Sequence, residues 1–529
     1  MPKKREKWRK RRGKRSKLVF RGIIAMLIAA VIIPYLYLPK MNLPGTDITG
    51  PMRVIEPDNC RLLIDSTGFD PEKQERVIKQ EIFDNILEMI ADSKSFIVAD
   101  FFLLNPWKGA FTNASYRTLS SELAEALIAK KRANPNHTII LLTDPINRIY
   151  GNDEPPFYRK MVENGIYVVF TDIRRLPHSN LVYSPCAGFY GKWIAKPPTI
   201  RKHLQKRTIA NVLDSSGKDI SPLQLLRMLN FKANHRKVII TDDSDGNPCV
   251  LISSFNPADG SSAHSNIAIM TGGAVAIDAL ESELNCVEWS AENTATLPGT
   301  SADGLKKALT NCRRFADNAV IQEPPADGPR AQWLTEESIR RKILSMLSNT
   351  GPGSQVNIAM FYCSDPLIVR SIADAAYSGA EVRVVFDANR DAFGREKIGI
   401  PNRPAAARML KKAGKSGRLQ IRWAATHGEQ FHTKSISIVN KYTGQTQFLC
   451  GSANWTRRNL KNLNMEACIY IENVPSIVQL YTDFFDRIWQ NDGGLVYTLD
   501  YESAKEDGFA LFWKNIVYFL QESTGASTF

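Results

Sequence analysis

The chain has 529 residues, of which 43% are hydrophobic and 23% charged, and it carries a formal net charge of +14. That length gives room for two or more domains with cores of their own, and those ordinary fractions exclude a disordered or fibrous chain. Residues 2–17, PKKREKWRKRRGKRSK, hold eleven Lys and Arg against one Glu, a net of +10, so +14 minus +10 leaves only +4 for everything else. The high pI therefore does not describe a nucleic-acid-coating surface over the whole molecule.

In chain order, the basic tail (1–17) is followed by LVFRGIIAMLIAAVIIPYLYL (18–38), apolar from Gly22 to Leu38 apart from tyrosines near its end. Roughly 20 apolar residues span a bilayer, and positive charge stays on the cytoplasmic side. The sequence thus predicts a single-pass transmembrane anchor with a cytoplasmic N-terminus and the remainder exported. Arg21 would snorkel, and Tyr35 and Tyr37 would sit at the far interface. A cleaved signal peptide is the rival reading, but no small-x-small site follows the apolar run. Residues 39–80 read as a Pro- and Gly-containing stalk and lead-in. Eight cysteines permit disulfides without forming a dense framework, and no CxxC pair or Cys/His cluster has zinc spacing. No metal and no cofactor are expected.

From there the pattern occurs twice. An amphipathic helix and buried strand, EIFDNILEMIADSKSFIVADFFLL (81–104), are matched by 336–363. The helix and strand of 122–151 are matched by 366–394, each ending in an acidic turn, TDPINRIYG and FDANRDAFG. Those of 157–172 are matched by 405–425. Then NHRKVIITDD (234–243) is answered by FHTKSISIVN (431–440), and SSFN (253–256) by GSAN (451–454). Helices ending CVEWSAEN (286–293) and DRIWQND (486–492) place Trp289 and Trp489 alike. Helices alternating with short β-branched runs predict an α/β sandwich. A repeat this long is no solenoid unit; it predicts two similar domains packed face to face about a pseudo-twofold axis. The expected boundaries are 81–293 for the first domain, a linker over 294–335, 336–493 for the second domain, and a C-terminal extension over 494–529.

On a strand, residues i and i+2 share a face, so His235 and Lys237, and likewise His432 and Lys434, would project together. An isolated His-x-Lys is an ordinary strand start. Its recurrence with a downstream Ser-x-Asn in the matching half is not. The paired pattern resembles the phospholipase D superfamily, whose signature is His-x-Lys-x4-Asp followed by Gly-Ser-x-Asn. Here the first copy is His235, Lys237 and Asp242 with Ser254 and Asn256; the second is His432 and Lys434 with Ser452 and Asn454. The resemblance covers nearly all of 80–495.

The residue types suit phosphodiester chemistry. Two lysines beside two histidines supply positive charge where the transition state develops negative charge, and Ser and Asn side chains would orient the phosphate. One neutral imidazole can attack phosphorus while a protonated one gives its proton to the leaving alcohol. The resemblance implies a covalent phosphohistidine, released to water or to another alcohol, with His235 as nucleophile. It also implies an acidic residue after each Ser-x-Asn. Glu466 fits that place in the second half and would raise the pKa of His432 beside it; in the first half Asn266 stands there. Val439 replaces the motif's aspartate in the second copy. Catalytic candidates are thus His235, Lys237, Asp242, His432, Lys434 and Glu466, and phosphate-binding candidates Ser254, Asn256, Ser452 and Asn454.

The halves differ by an insertion at about 173–230. Residues 173–213 hold eight Lys and Arg and no acidic residue, with Tyr183, Phe189, Tyr190 and Trp193 interleaved. Such a mixture suits anionic membrane lipid or single-stranded nucleic acid. GFALFWKNIVYFLQ (508–521) could lie at a membrane surface or pack on the second domain. The expectation is a phospholipid-directed phosphodiesterase or phosphatidyltransferase resembling cardiolipin synthases. A membrane-anchored nuclease and a catalytically silent membrane scaffold are the alternatives.

Overall fold

The computed structural model describes residues 21–36, 41–109, 116–148, 154–181, 183–194, 196–211, 219–243, 245–292, 297, 299–317, 325, 327–389, 391–392, 395–414 and 417–525. Of the expected anchor, 21–36 is helical; the basic tail and residues 18–20 and 37–38 lie outside the described residues. No helix among the described residues is long and apolar enough to cross a membrane.

The fold is mixed α/β with two sheets, the arrangement of two similar domains. The first sheet runs, in spatial order, Glu75–Lys79, Arg61–Asp70, Asn266–Gly272, Pro248–Ser253, Lys237–Asp242, Phe96–Phe101, Thr138–Thr143 and Tyr167–Phe170. The second runs Arg53–Val54, Arg330–Thr335, Ala467–Glu472, Thr446–Gly451, Lys434–Asn440, Ser354–Met360, Glu381–Asp387, Leu419–Ala424 and Thr498–Asp500. From Arg61–Asp70 and Arg330–Thr335 onward the two orders correspond strand for strand. So do the directions: the last three matched strands pair in parallel and the others antiparallel. Parallel neighbours need helical crossovers, which Leu119–Ala133 and Pro156–Glu163 supply in one half and Pro366–Tyr377 and Asn402–Ala413 in the other.

Burial follows this plan in three large cores, besides a small cluster around Phe102 and Ile146. One lies under the outer helices of the first sheet, around Phe83, Leu123 and Tyr158. A second lies under those of the second sheet, around Ile343, Ile372 and Trp423. The third is shared: helices Ala274–Ala291 and Pro475–Gln490 are sandwiched with the inner faces of both sheets, so Val238, Trp289, Ile469 and Phe485 belong to one cluster. A shared core fixes the halves against each other, and a site on the seam is held as firmly as one inside a domain.

Two segments depart from expectation. Residues 41–80 are not a stalk. Arg61–Asp70 is an interior strand of the first sheet, and Arg53–Val54 pairs with Arg330–Ala331 of the second. The polar DST in its middle masks the strand, yet Asp65 is buried and accepts the backbone N–H of Glu81 (2.9 Å) and Ile82 (3.1 Å), capping helix Ile82–Asp92. Likewise Arg330–Thr335, expected in the linker, pairs along its length with Ala467–Glu472. The insertion folds as helices Ser184–Ile194, Pro198–Gln205 and Pro222–Met228. All eight cysteines are free, and seven of them are buried.

Candidate active site

Each His-x-Lys begins the strand at the middle of its sheet, and the two starts meet across the seam. His235 donates its backbone N–H to the Met465 carbonyl (2.9 Å), and Met465 donates to Ala233 (3.0 Å). In the other half His432 donates to Ser265 (2.9 Å), and Ser265 to Gln430 (3.1 Å). Two short parallel bridges, Asn234 with Met465 and Ser265 with Phe431, thus stitch each histidine to the opposite domain.

This stitching decides which residue orients which ring. Met465 leads directly to Glu466, so Glu466 reaches across the seam: its Oε1 lies 2.8 Å from Nδ1 of His235. Ser265 leads to Asn266, whose Oδ1 lies 3.1 Å from Nδ1 of His432. The expectation that Glu466 stands beside His432, and Asn266 with His235, is therefore corrected. The partners are exchanged, because the residue after each seam bridge points to the histidine that the bridge holds. In both rings a side-chain oxygen accepts at Nδ1, which leaves Nε2 for chemistry.

The serines serve these orienting groups. Ser452 donates its hydroxyl to Glu466 and accepts the N–H of Ala467 (3.0 Å). Ser254 donates to Asn266 (3.2 Å) and accepts the N–H of Ile267 (3.0 Å). Both hydroxyls are committed to positioning Glu466 and Asn266 rather than open to a phosphate. Asn454 is different, since neither end of its buried amide has a hydrogen-bond partner among the described residues. Asn256 accepts a long bond from Leu103 (3.4 Å).

Lys237 and Lys434 are buried, and each Nζ donates to the carbonyl of its own histidine, at 2.7 and 2.9 Å. Phe102 and Phe361 lie beneath them. Each ring is 5.1 Å from the ammonium and edge-on to the matching imidazole at 4.7 and 4.9 Å. Sequence reading missed this pair, although FFLL and MFYC occupy matching places just past matching strands. It also left the acidic turns without a role. Asp144 accepts the N–H of Asn234 (2.7 Å) and Asp387 that of Phe431 (2.9 Å), so each braces the residue before a catalytic histidine.

Asp242 is not part of the site. It closes the strand that starts at Lys237, about 17 Å away at 3.3–3.4 Å per residue. There its Oδ1 accepts from the Ser93 hydroxyl (2.8 Å) and from the N–H groups of Lys94 (3.0 Å), Ser95 (3.0 Å) and Phe96 (3.3 Å). It clasps the turn between helix Ile82–Asp92 and strand Phe96–Phe101. The second half needs no such carboxylate at Val439, because there the turn closes on itself through Gly351 and Ser354.

The side chains of the site are buried, and that sets its electrostatics. Burial, then the charges of Lys237, Lys434 and Arg458, hold His235 well below the usual imidazole range. Burial and Lys434 do the same to His432. Burial pushes Glu466 up to about 7 against the pull of Lys237, and brings Lys237 down to about 7. Burial, then the like charge of Lys237, holds Lys434 well below the usual ammonium range. An anion placed between the rings would relieve these cations, so the site as a whole favours binding a phosphate. Among the described residues, no group of three or more His, Cys, Asp or Glu is arranged to hold a metal ion.

Comparison with known proteins agrees with this geometry. Residues 343–489 match the family described as "Cardiolipin synthase, PLD-like domain". No curated protein matches the chain. Among solved structures, the fold is similar to phosphatidylserine synthase of Haemophilus influenzae Rd KW20. That likeness has a TM-score of 0.55 and 12% identity, and it covers 90% of this chain and 97% of that one. A phospholipase D family member, Nuc from Salmonella typhimurium, is 19% identical over 33% of this chain and 98% of its own, with a TM-score of 0.25. With both His-x-Lys pairs on corresponding strands, residues 343–489 thus match a phospholipase D-like domain, and the fold as a whole is similar to that of phosphatidylserine synthase.

Proposed function

We propose that the protein is a membrane-anchored enzyme acting on phospholipids, hydrolysing or transferring a phosphatidyl group through a phosphohistidine on His235. The observation that carries the assignment of roles is the contact between Glu466 and His235. A carboxylate on Nδ1 fixes the tautomer and supports the cationic ring that results when Nε2 bonds to phosphorus. Asn266 on His432 offers orientation without charge, which suits a group that must give its proton away.

In the first step His235 Nε2 attacks phosphorus in line and the bond to the leaving alcohol breaks. His432, protonated as the bound diester offsets the lysines, delivers its proton to the departing oxygen. In the second step neutral His432 takes a proton from water or an acceptor alcohol, whose oxygen attacks phosphorus. The N–P bond breaks and His235 returns to its starting form. Lys237 and Lys434 supply fixed positive charge to the equatorial oxygens, and Asn454 adds a buried amide.

The apolar segment at 18–38 after a basic tail supports an uncleaved anchor, with the tail cytoplasmic and the catalytic body outside the cytoplasm. Lipid as the substrate class is supported by that anchor and by the basic, aromatic insertion. To test this, the full chain is incubated with phosphatidylglycerol vesicles and, separately, with labelled single-stranded DNA. The reading expects lipid turnover that disappears in His235→Ala and in His432→Ala, with DNA left whole. DNA cleavage without lipid turnover would replace it with a nuclease, and vesicle binding without turnover of either would replace it with a scaffold.

A further inference from the structure

Helix Gly508–Thr524 is amphipathic with its apolar face turned outward. Phe509, Phe512, Trp513, Ile516, Phe519 and Leu520 recur at helical spacing and are 81, 61, 55, 37, 67 and 54% exposed. The helix is not free to roll. On its opposite face the buried Tyr518 donates to the Ser364 carbonyl (2.5 Å), and Glu522 accepts the Ser364 hydroxyl (2.5 Å). Arg408 stacks on Tyr518 at 4.3 Å while donating to Asn515 (2.7 Å). The charge within the stripe's span, Lys514, turns aside to Glu506 (2.5 Å). A packed inner face and an aromatic outer one make this stripe a surface rather than a poorly buried core helix.

The surroundings indicate what covers it. Where the helix ends, Gly525 has φ +73° and its backbone closes on Ser179, so that a Cβ would lie 2.5 Å from the Ser179 carbonyl. Arg457 donates to that same carbonyl (3.3 Å) and to the carbonyl of Glu522 (3.2 Å). Ser179 lies within the insertion, and two residues on, Leu181 accepts the hydroxyl of Tyr35; farther along, Tyr190 donates to Ala30 (2.7 Å). The apolar 21–36 helix, itself exposed at Met26, Leu27 and Leu36, and the aromatic stripe are therefore joined through one short segment. That segment leads into a stretch without acidic residues, whose Arg201, Lys202, Lys206 and Arg207 are exposed. Apolar area flanked by exposed positive charge matches an anionic bilayer surface.

We propose that helix Gly508–Thr524 docks the catalytic body on the surface of an anionic lipid bilayer, as a second contact beyond the N-terminal segment. Arg457 ties the C-terminal end of this helix to Ser179, and so to the segment that leads into the basic stretch. The contact is independent of which phosphodiester the site cleaves.

The test places an environment-sensitive thiol fluorophore on the full chain at Phe512→Cys, and at Tyr442→Cys as an exposed position elsewhere. Each labelled protein is reconstituted in phosphatidylcholine vesicles carrying phosphatidylglycerol, with plain or brominated acyl chains. The expected result is a blue-shifted label at 512, quenched by brominated lipid at least fivefold more than the label at 442. Equal quenching at the two positions would overturn the proposal. A blue shift at 512 that brominated lipid leaves untouched, and that is lost on diluting the protein, would overturn it in favour of a second copy of the chain. Lipid turnover is read separately, so an inactive enzyme with a quenched label would sink the proposed function and leave the docking surface standing.

Discussion

Two histidines that share the His-x-Lys spacing are unlike in the folded protein, because one ring is held by a carboxylate and the other by an amide. Replacing Glu466 by Gln keeps an acceptor for His235 but removes the charge that supports its cation. We expect kcat to fall about 10²-fold or more, with the thermal midpoint little changed. The pH profile carries a further signature. Burial pushes Glu466 up to about 7 and brings Lys237 down to about 7. As pH rises through that range the carboxylate becomes available and the ammonium is lost. On a soluble diester, kcat/KM should therefore pass through a maximum near neutrality, and Glu466→Gln should lose the rising limb. An unchanged rising limb in that variant would assign it to another group. The histidines and lysines were legible in the sequence because they repeat between the halves, and Glu466 because it follows the second Ser-x-Asn. Their pairing was not, because Glu466 and His235 are distant in the chain and are brought together by the seam bridges, which no local pattern encodes.

At the scale of elements, the motif's aspartate illustrates how a signature residue can serve the fold alone. Burial pushes the Asp242 carboxyl up, but the bonds from Ser95, Ser93 and Phe96 outweigh it and hold the group below its usual range. A depressed carboxyl contributes stability that is present above its unfolded pKa and is lost as pH falls through the folded one. Asp242→Ala should thus cost about 2–3 kcal/mol at neutral pH, read as a lower urea midpoint, while kcat of the folded fraction stays unchanged. A large drop in kcat at full folding would return Asp242 to the site. Helix-and-strand pairs with clear periodicity were readable from the chain, down to the match of Trp289 with Trp489. Arg61–Asp70 was not, because a buried Asp65 and its polar neighbours break the apolar run. Its burial makes sense only once helix Ile82–Asp92 offers its unpaired N–H groups.

For the whole molecule, the seam is both the scaffold and the active site. Arg236, between the catalytic His and Lys, is fully buried and donates to Glu283 (3.0 Å) in the first domain, to Glu336 (2.8 Å) in the second, and to the Gly45 carbonyl (2.8 Å). Glu336 in turn accepts the N–H of Glu466 (2.9 Å). Removing the guanidinium in Arg236→Ala leaves two carboxylates buried, and roughly 3–5 kcal/mol of stability should go with it, measured by thermal unfolding. Because the lysines supply the positive charge, activity should also survive a chelator; loss of turnover in EDTA that returns on adding a divalent ion would contradict that account.

In the proposed mechanism His235 takes the phosphoryl group and His432 moves the protons. A p-nitrophenyl phosphodiester separates the two roles, since its leaving group departs without a proton. In the full chain carrying His432→Asn, this substrate should give a burst of one p-nitrophenolate per enzyme, followed by slow turnover. Peptide mass spectrometry after the burst should find the phosphoryl adduct on His235. An adduct elsewhere, or no adduct alongside steady turnover, would contradict the mechanism.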